Sequence, residues 1–216
     1  SNKSLNQANY IIINQTFIPD KLDSRELLNF VSKGNNCFIA ANLIKGLVAD
    51  TLNTKIDNFY NIDFFYSNDS TSPKPIYGNF QREASVNFVS PSLHRAKDFH
   101  YEKGCENSYF ASFDTAHTSV LGTSKDNKIN FIRTQFGKGY FFINTLPEVF
   151  ANYHFVSDST MEYPIRALPK LPNHHLIWDE YYKVGNIQRD SPLRVILSNP
   201  ALQTAYYLLM GSLLFF

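Results

Sequence analysis

The order of apolar patterns along the chain predicts a three-layer α/β domain with an antiparallel elaboration, and three observations carry that prediction. Two short, continuous apolar runs at residues 10–13 and 37–41 enclose an amphipathic stretch, so strand, helix and strand follow one another within about 30 residues. Further strand-like runs return late, at residues 140–143 and 175–178. Between residues 85 and 133 the runs are instead short and alternating, as in antiparallel sheet.

Each element has its own reason. Residues 10–13 read Tyr-Ile-Ile-Ile, apolar on every side and suited to a strand covered on both faces. Asp23, Ser24, Arg25 and Glu26 have capping-box spacing, with Asp23 accepting from the backbone of Glu26 while Glu26 reaches back. Leu27, Leu28 and Val31 share one face of the helix that follows, and Arg25, Glu26, Asn29 and Ser32 the other. Lys33 and Gly34 close it, a cation in the last turn and a glycine where a left-handed residue is wanted. Cys37 opens the second buried strand, parallel to the first because a helix connects them. Residues 44–52 form another short helix, and residues 59–66 an aromatic strand.

The stretch from about residue 68 to 135 is a β-rich insertion or sheet extension, with runs at 85–89, 109–113, 119–122 and 129–133. Lys125, Asp126, Asn127 and Lys128 suit a hairpin turn between the last two. Gly137-Lys138-Gly139 is a turn leading into the buried strand 140–143. A helix is expected over 159–168, with Pro164 kinking it or moving its start. The soluble domain so defined spans residues 1–198. Asn199 and Pro200 then suit an N-cap and a first helical position, and no charged side chain follows Arg194. Residues 199–216 are therefore expected to begin a transmembrane helix, roughly 25 Å long at about 1.5 Å per residue against a bilayer core of about 30 Å.

Composition excludes several functions. A net charge of +1 and 18% charged residues offer neither a nucleic-acid surface nor a polybasic patch. Two cysteines, Cys37 and Cys105, are too few for a disulfide framework and read as free thiols. Six histidines occur without ligand spacing; His174 and His175 are adjacent, and there is no HExxH or CxxC, so no metal is expected. No small-residue frame surrounds a serine or cysteine as a nucleophile elbow requires, and no glycine-rich loop follows the first strand. No catalytic residue and no cofactor are expected.

Ligands on open α/β sheets bind beyond the carboxyl ends of the strands. Asn144 and Thr145 with Asn152, Tyr153 and His154 follow one such strand; Asp179, Glu180 and Tyr181 follow another. If the two strands are neighbours, the clusters converge. Asp179 and Glu180 are then polar acceptors, Asn152 an orienting amide, and Tyr153 and Tyr181 pocket walls. With His154, the carboxylates also suit acid/base work or a divalent cation. The structural alternative has the same residues capping a helix and holding a loop under the sheet edge.

Residues 131–154, Phe-Ile-Arg-Thr-Gln-Phe-Gly-Lys-Gly-Tyr-Phe-Phe-Ile-Asn-Thr-Leu-Pro-Glu-Val-Phe-Ala-Asn-Tyr-His, resemble the core signature of the bacterial domain-of-unknown-function family numbered 4350. Residues 30–40, 177–182 and 191–201 are similar to further passages of that family, in the same order. The resemblance implies a class-I glutamine-amidotransferase-like (flavodoxin-like) fold without the catalytic cysteine. It also implies flanking membrane helices and gene neighbours encoding MoxR-type ATPases and von Willebrand A-like proteins. Tyr182 departs from the family, which often has histidine there, and this weakens a metal or acid/base role for that corner. The resulting expectation is a non-enzymatic, membrane-anchored binding or scaffold domain outside the cytoplasm. A divergent hydrolase or amidotransferase-like enzyme using Asp179, Glu180 and His154 is the rival.

Overall fold

The structure, a computed structural model, describes residues 7–58, 83–101, 105, 108–124, 127–155, 158–168, 171–179 and 200–214. The chain divides into two compact units, Ser1–Lys183 and Val184–Phe216. In the first, β1 (Ala8–Ile13) and β2 (Thr16–Phe17) precede α1 (Lys21–Ser32), followed by β3 (Asn36–Ala40), β4 (Leu43–Ile44), α2 (Leu47–Thr51) and β5 (Lys55–Asn58). Next come β6 (Ala84–Phe88), β7 (Phe99–Tyr101), β8 (Ser108–Ser112), β9 (Thr118–Ser124), β10 (Ile129–Phe136) and β11 (Gly139–Asn144). Two 3₁₀ turns, Pro147–Phe150 and Asn152–Phe155, lead into α3 (Asp158–Ala167) and β12 (His175–Trp178).

Eight strands form one mixed sheet in the order β12-β1-β3-β11-β10-β9-β6-β7. The first four are parallel to one another, and from β11 onward every neighbour is antiparallel. Period-two alternation sends Ile11, Phe38, Phe131 and Phe142 into one apolar cluster, with Tyr163 and Ala167 of α3. Ile12, Cys37, Ile39, Ile132, Phe141 and Ile143 enter the other, with Leu28 and Val31 of α1. Full burial of such a side chain is worth about 1.5–3 kcal/mol, against about 0.5–1.5 kcal/mol net for a typical hydrogen bond. Side-chain burial on both faces therefore dominates the sheet's stability.

The three-layer flavodoxin-like, amidotransferase-like fold class is corrected. Four of the sheet's eight described strands, β10, β9, β6 and β7, pair antiparallel, and the described chain from β6 to β10 runs strand to strand with no α-helix between. Among the described residues, α1 and the five-residue α2 lie with one cluster, α3 and the 3₁₀ turns with the other. The expected start of a transmembrane helix is corrected too. In the second unit α4 (Pro200–Leu214) has 15 residues, and among the described residues no helix is long and apolar enough to cross a membrane. The aromatic strand expected at 59–66 lies outside the described residues, as do Lys125 and Asp126 of the expected turn.

Local physics explains three further differences. Helix α1 starts a turn earlier than the capping box implied: Asp20, in extended conformation, is the N-cap, and its Oδ1 accepts from the Asp23 amide at 2.8 Å. Pro164 sits buried inside α3 without ending it. Its missing N–H would have bonded the carbonyl of Thr160, and that carbonyl instead accepts from the Tyr101 hydroxyl at 2.8 Å. Gly139 looked like half of a simple turn, yet a Cβ there would run into the carbonyl oxygens of Val31 and Asn35. Gly137, at φ +59°, supplies the left-handed turn residue between β10 and β11.

Candidate functional site

The carboxyl ends of the parallel strands are where the chain leaves the sheet. After β1, the Asn14 amide donates to the Ala40 carbonyl, and the Gln15 carbonyl accepts from the amides of Asn42 and Leu43. After β11, Asn144 is wholly buried; its Nδ2 donates to the Tyr163 hydroxyl and its Oδ1 accepts from the Leu146 amide, both at 2.9 Å. Thr145 Oγ1 donates to the Ser108 carbonyl. Asn144 and Thr145 thus anchor the loop. Pro147 opens the first 3₁₀ turn, and the Ala151 and His154 amides close successive tight turns onto the carbonyls of Glu148 and Ala151.

This folding leaves a cavity of about 920 Å³. Its walls are Ile13 at the end of β1 with Asn14 and Gln15 after it, the turns from Pro147 to Phe155, Leu168 just past α3 and Trp178 at the end of β12. Tyr153, Phe155 and Trp178 are the exposed large side chains among them, at 72%, 41% and 44%. Glu148 contributes a carboxylate, and its Oε1 accepts from the side-chain Nδ2 of Asn42.

His154 forms part of the floor. It is buried, with Tyr101 and Tyr153 packed edge-on at ring-centroid distances of 5.0 and 5.1 Å. Its Nε2 lies 3.8 Å from the Cys105 sulfur. Burial holds the imidazole below its ordinary value, so it is neutral near pH 7. Burial, and then the Glu148 charge, push the Cys105 thiol up to about 12. The pair is therefore a neutral thiol beside a neutral imidazole, and supplies no thiolate nucleophile.

Of the residues expected from the sequence, Asn152, Tyr153 and His154 line the cavity together. Asp179 does not line it. Strands β11 and β12 are not neighbours, since β3 and β1 lie between them. Asp179 is buried, its amide donates to the Ile11 carbonyl, and its Oδ2 accepts from the Tyr10 hydroxyl at 2.9 Å. Tyr10 in turn packs edge-on against Phe30 of α1 and belongs with the opposite core cluster. Burial first, and then this bond, raise the Tyr10 hydroxyl's pKa above its ordinary value. Asp179 is thus held to a different layer from His154, and the acid/base pairing of the two does not form. Glu180 and Tyr181 lie outside the described residues.

Asn14, Gln15, Glu148 and Trp178 were not singled out from the sequence, although the strand-end rule applied to β1 points to the first two. Among the described residues no three His, Cys, Asp or Glu side chains gather as a metal ion would need.

No protein-family model and no curated protein matches the chain. Solved structures similar to it include a β-galactosidase from Bacillus circulans sp. alkalophilus, at 10% identity and TM-score 0.44, covering 78% of this chain and 23% of that one. The exo-β-1,4-mannosidase Op5Man5 from Opitutaceae bacterium strain TAV5 is similar at 14% identity and TM-score 0.47, covering 76% and 25%. Gan42B, a β-galactosidase from G. stearothermophilus, is similar at 11% identity and TM-score 0.42, covering 78% and 22%. The chain spans about a quarter of the length of these structures. All three are glycosidases, and at this identity and TM-score they assign no reaction to this chain.

Proposed function

We propose that the first unit binds a small molecule in the cavity beyond the carboxyl ends of β1, β11 and β12. One observation supports this reading: exposed aromatic side chains, amides and a carboxylate from three separate chain segments face one concavity. Small-molecule sites combine a mainly apolar wall with a few placed polar groups, in volumes of about 300–1,000 Å³, at this edge of α/β sheets. The experiment follows from the composition. Trp178 is the chain's one tryptophan, so its emission reports on this wall alone. Titration with a library of small metabolites is expected to shift that emission saturably for at least one member, and Tyr153→Ala is expected to weaken that binding. A library without effect on emission or on melting temperature overturns the reading.

The resemblance to family 4350 supports a separate proposal, that the protein belongs to that family and works outside the cytoplasm beside a MoxR-type ATPase and von Willebrand A-like proteins. Co-purification from the native host is expected to recover such an ATPase, and its repeated absence counts against the proposal.

A further inference from the structure

Behind the cavity floor the fold joins a thiol to an imidazole from positions 49 residues apart. We propose that Cys105 and His154 form a two-ligand site for a soft monovalent cation, Cu(I) or its redox-inert analogue Ag(I). The site stands whether or not the cavity takes a small molecule, since its donors are these two side chains.

Geometry is the first argument. Cys105 is wholly buried and His154 is 6% exposed. The imidazole Nε2 lies 3.8 Å from the sulfur, and among the described residues the ring has no other hydrogen-bond partner. Tyr101 and Tyr153 pack edge-on against the ring and hold its plane. Metal bonds to sulfur and to imidazole nitrogen run about 2.0–2.3 Å, so donors facing each other across an ion stand roughly 4 Å apart. The pair needs only a slight parting to admit one. His154 also lines the cavity, which gives an arriving ion its path to the nitrogen.

Donor type and number then select the ion. Thiolate with imidazole suits Cu(I), whereas hard cations take oxygen ligands. All six histidines and both cysteines of the chain are described, and no third one joins this pair. Zn(II) takes three or four protein ligands, while soft monovalent ions are content with two opposed donors. Charge agrees. As the ion binds, the S–H bond breaks, a sulfur–metal bond forms and the proton leaves to solvent. One positive charge replaces another, so the buried pair itself stays neutral. A divalent ion would leave a net charge on it, which burial disfavours. The free thiol, its pKa pushed up to about 12, is protonated near neutral pH, so each ion bound releases one proton.

The test uses the full chain, reduced and free of oxygen, titrated with Cu(I) against a chromophoric chelator and with Ag(I) in a calorimeter. The expected result is one ion per chain, with an affinity that rises about tenfold per pH unit between pH 7 and 8 as one proton is released. X-ray absorption of the Cu(I)-loaded chain is expected to show one sulfur and one nitrogen neighbour. Cys105→Ser is expected to abolish binding, and His154→Gln to weaken it more than about a hundredfold, beyond the usual loss for an outer-shell partner. Cys37→Ala, in the other core cluster, is expected to leave it unchanged. A circular-dichroism melt checks the fold of each variant, and the absorption measurement on the natural chain decides the ligands if a variant does not fold. Binding that survives Cys105→Ser, a metal without a nitrogen neighbour, or no binding at all overturns the site. Zn(II) bound as tightly as Cu(I) overturns the choice of a soft monovalent ion.

Discussion

His154 connects the cavity to the stability of the unit. Its imidazole is neutral when folded because burial disfavours the charged form, whereas the unfolded chain takes up a proton near pH 6.5. The unfolded state then binds more protons below that pH, so stability rises with pH. The stabilising neutrality is complete above about pH 6.5, is lost progressively as pH falls below it, and the loss levels off under the depressed folded value. Urea unfolding at pH 7.5 and 5.5 is expected to show a larger drop for the natural chain than for His154→Gln. An equal drop in both would show that this imidazole does not carry the effect. The sequence marked His154 by its place after a buried strand. It gave no sign of the Cys105 thiol beside it, because that contact joins residues 49 apart and depends on how the turn at Asn152–Phe155 closes.

At the scale of elements, two local devices hold the chain where propensity alone would not. The Tyr101 hydroxyl occupies the Thr160 carbonyl that Pro164 cannot reach, so the proline costs α3 less than the usual 3 kcal/mol or so of an interior position. Tyr101→Phe is expected to destabilise by about 1–3 kcal/mol, and by less in a Pro164→Ala background, where the restored N–H takes over that carbonyl. A double-mutant cycle in denaturant measures the coupling, and additive effects would refute it. Gly139 is the second device: the carbonyls of Val31 and Asn35 approach its Cα so closely that any side chain displaces the end of α1. Gly139→Ala is expected to cost about 1–3 kcal/mol or more, read as a lowered denaturant midpoint. Elements with a local signature were legible, including the buried runs of β1, β3 and β11 and the glycine close of α1, where Gly34 sits at φ +105°. The cap was misplaced by three residues because Asp20 and Asp23 both precede an acceptable first turn. Asp20 is the one in extended conformation, and its Oδ1 accepts from the Asp23 amide.

Across the whole unit, the cavity joins the first strand to the last described one, with the loop after β11 between them. A ligand there binds the folded state alone and adds about 2.7 kcal/mol at a concentration one hundred times its Kd. For a unit of this size that is expected to raise the melting temperature by roughly 5–11 °C, at about 2–4 °C per kcal/mol. Calorimetry with the ligand found by fluorescence checks this, and an unchanged melting temperature would count against a site in the cavity. Global topology was the least legible level. Alternating runs announced antiparallel strands, but not that β10, β9, β6 and β7 would extend the parallel sheet from β11 rather than stand apart. The site suffered likewise: assuming β11 and β12 to be neighbours drew Asp179 toward His154. In the structure Asp179 faces Tyr10, beneath α1. That bond, with the Asp179 amide on the Ile11 carbonyl, pins the residue directly after Trp178 to the neighbouring strand β1. A substitution at Asp179 would consequently loosen the aromatic wall beside it. In a scan of alanine variants it would pass for a contact residue, and only its effect on unliganded unfolding would tell the hinge pin from the door.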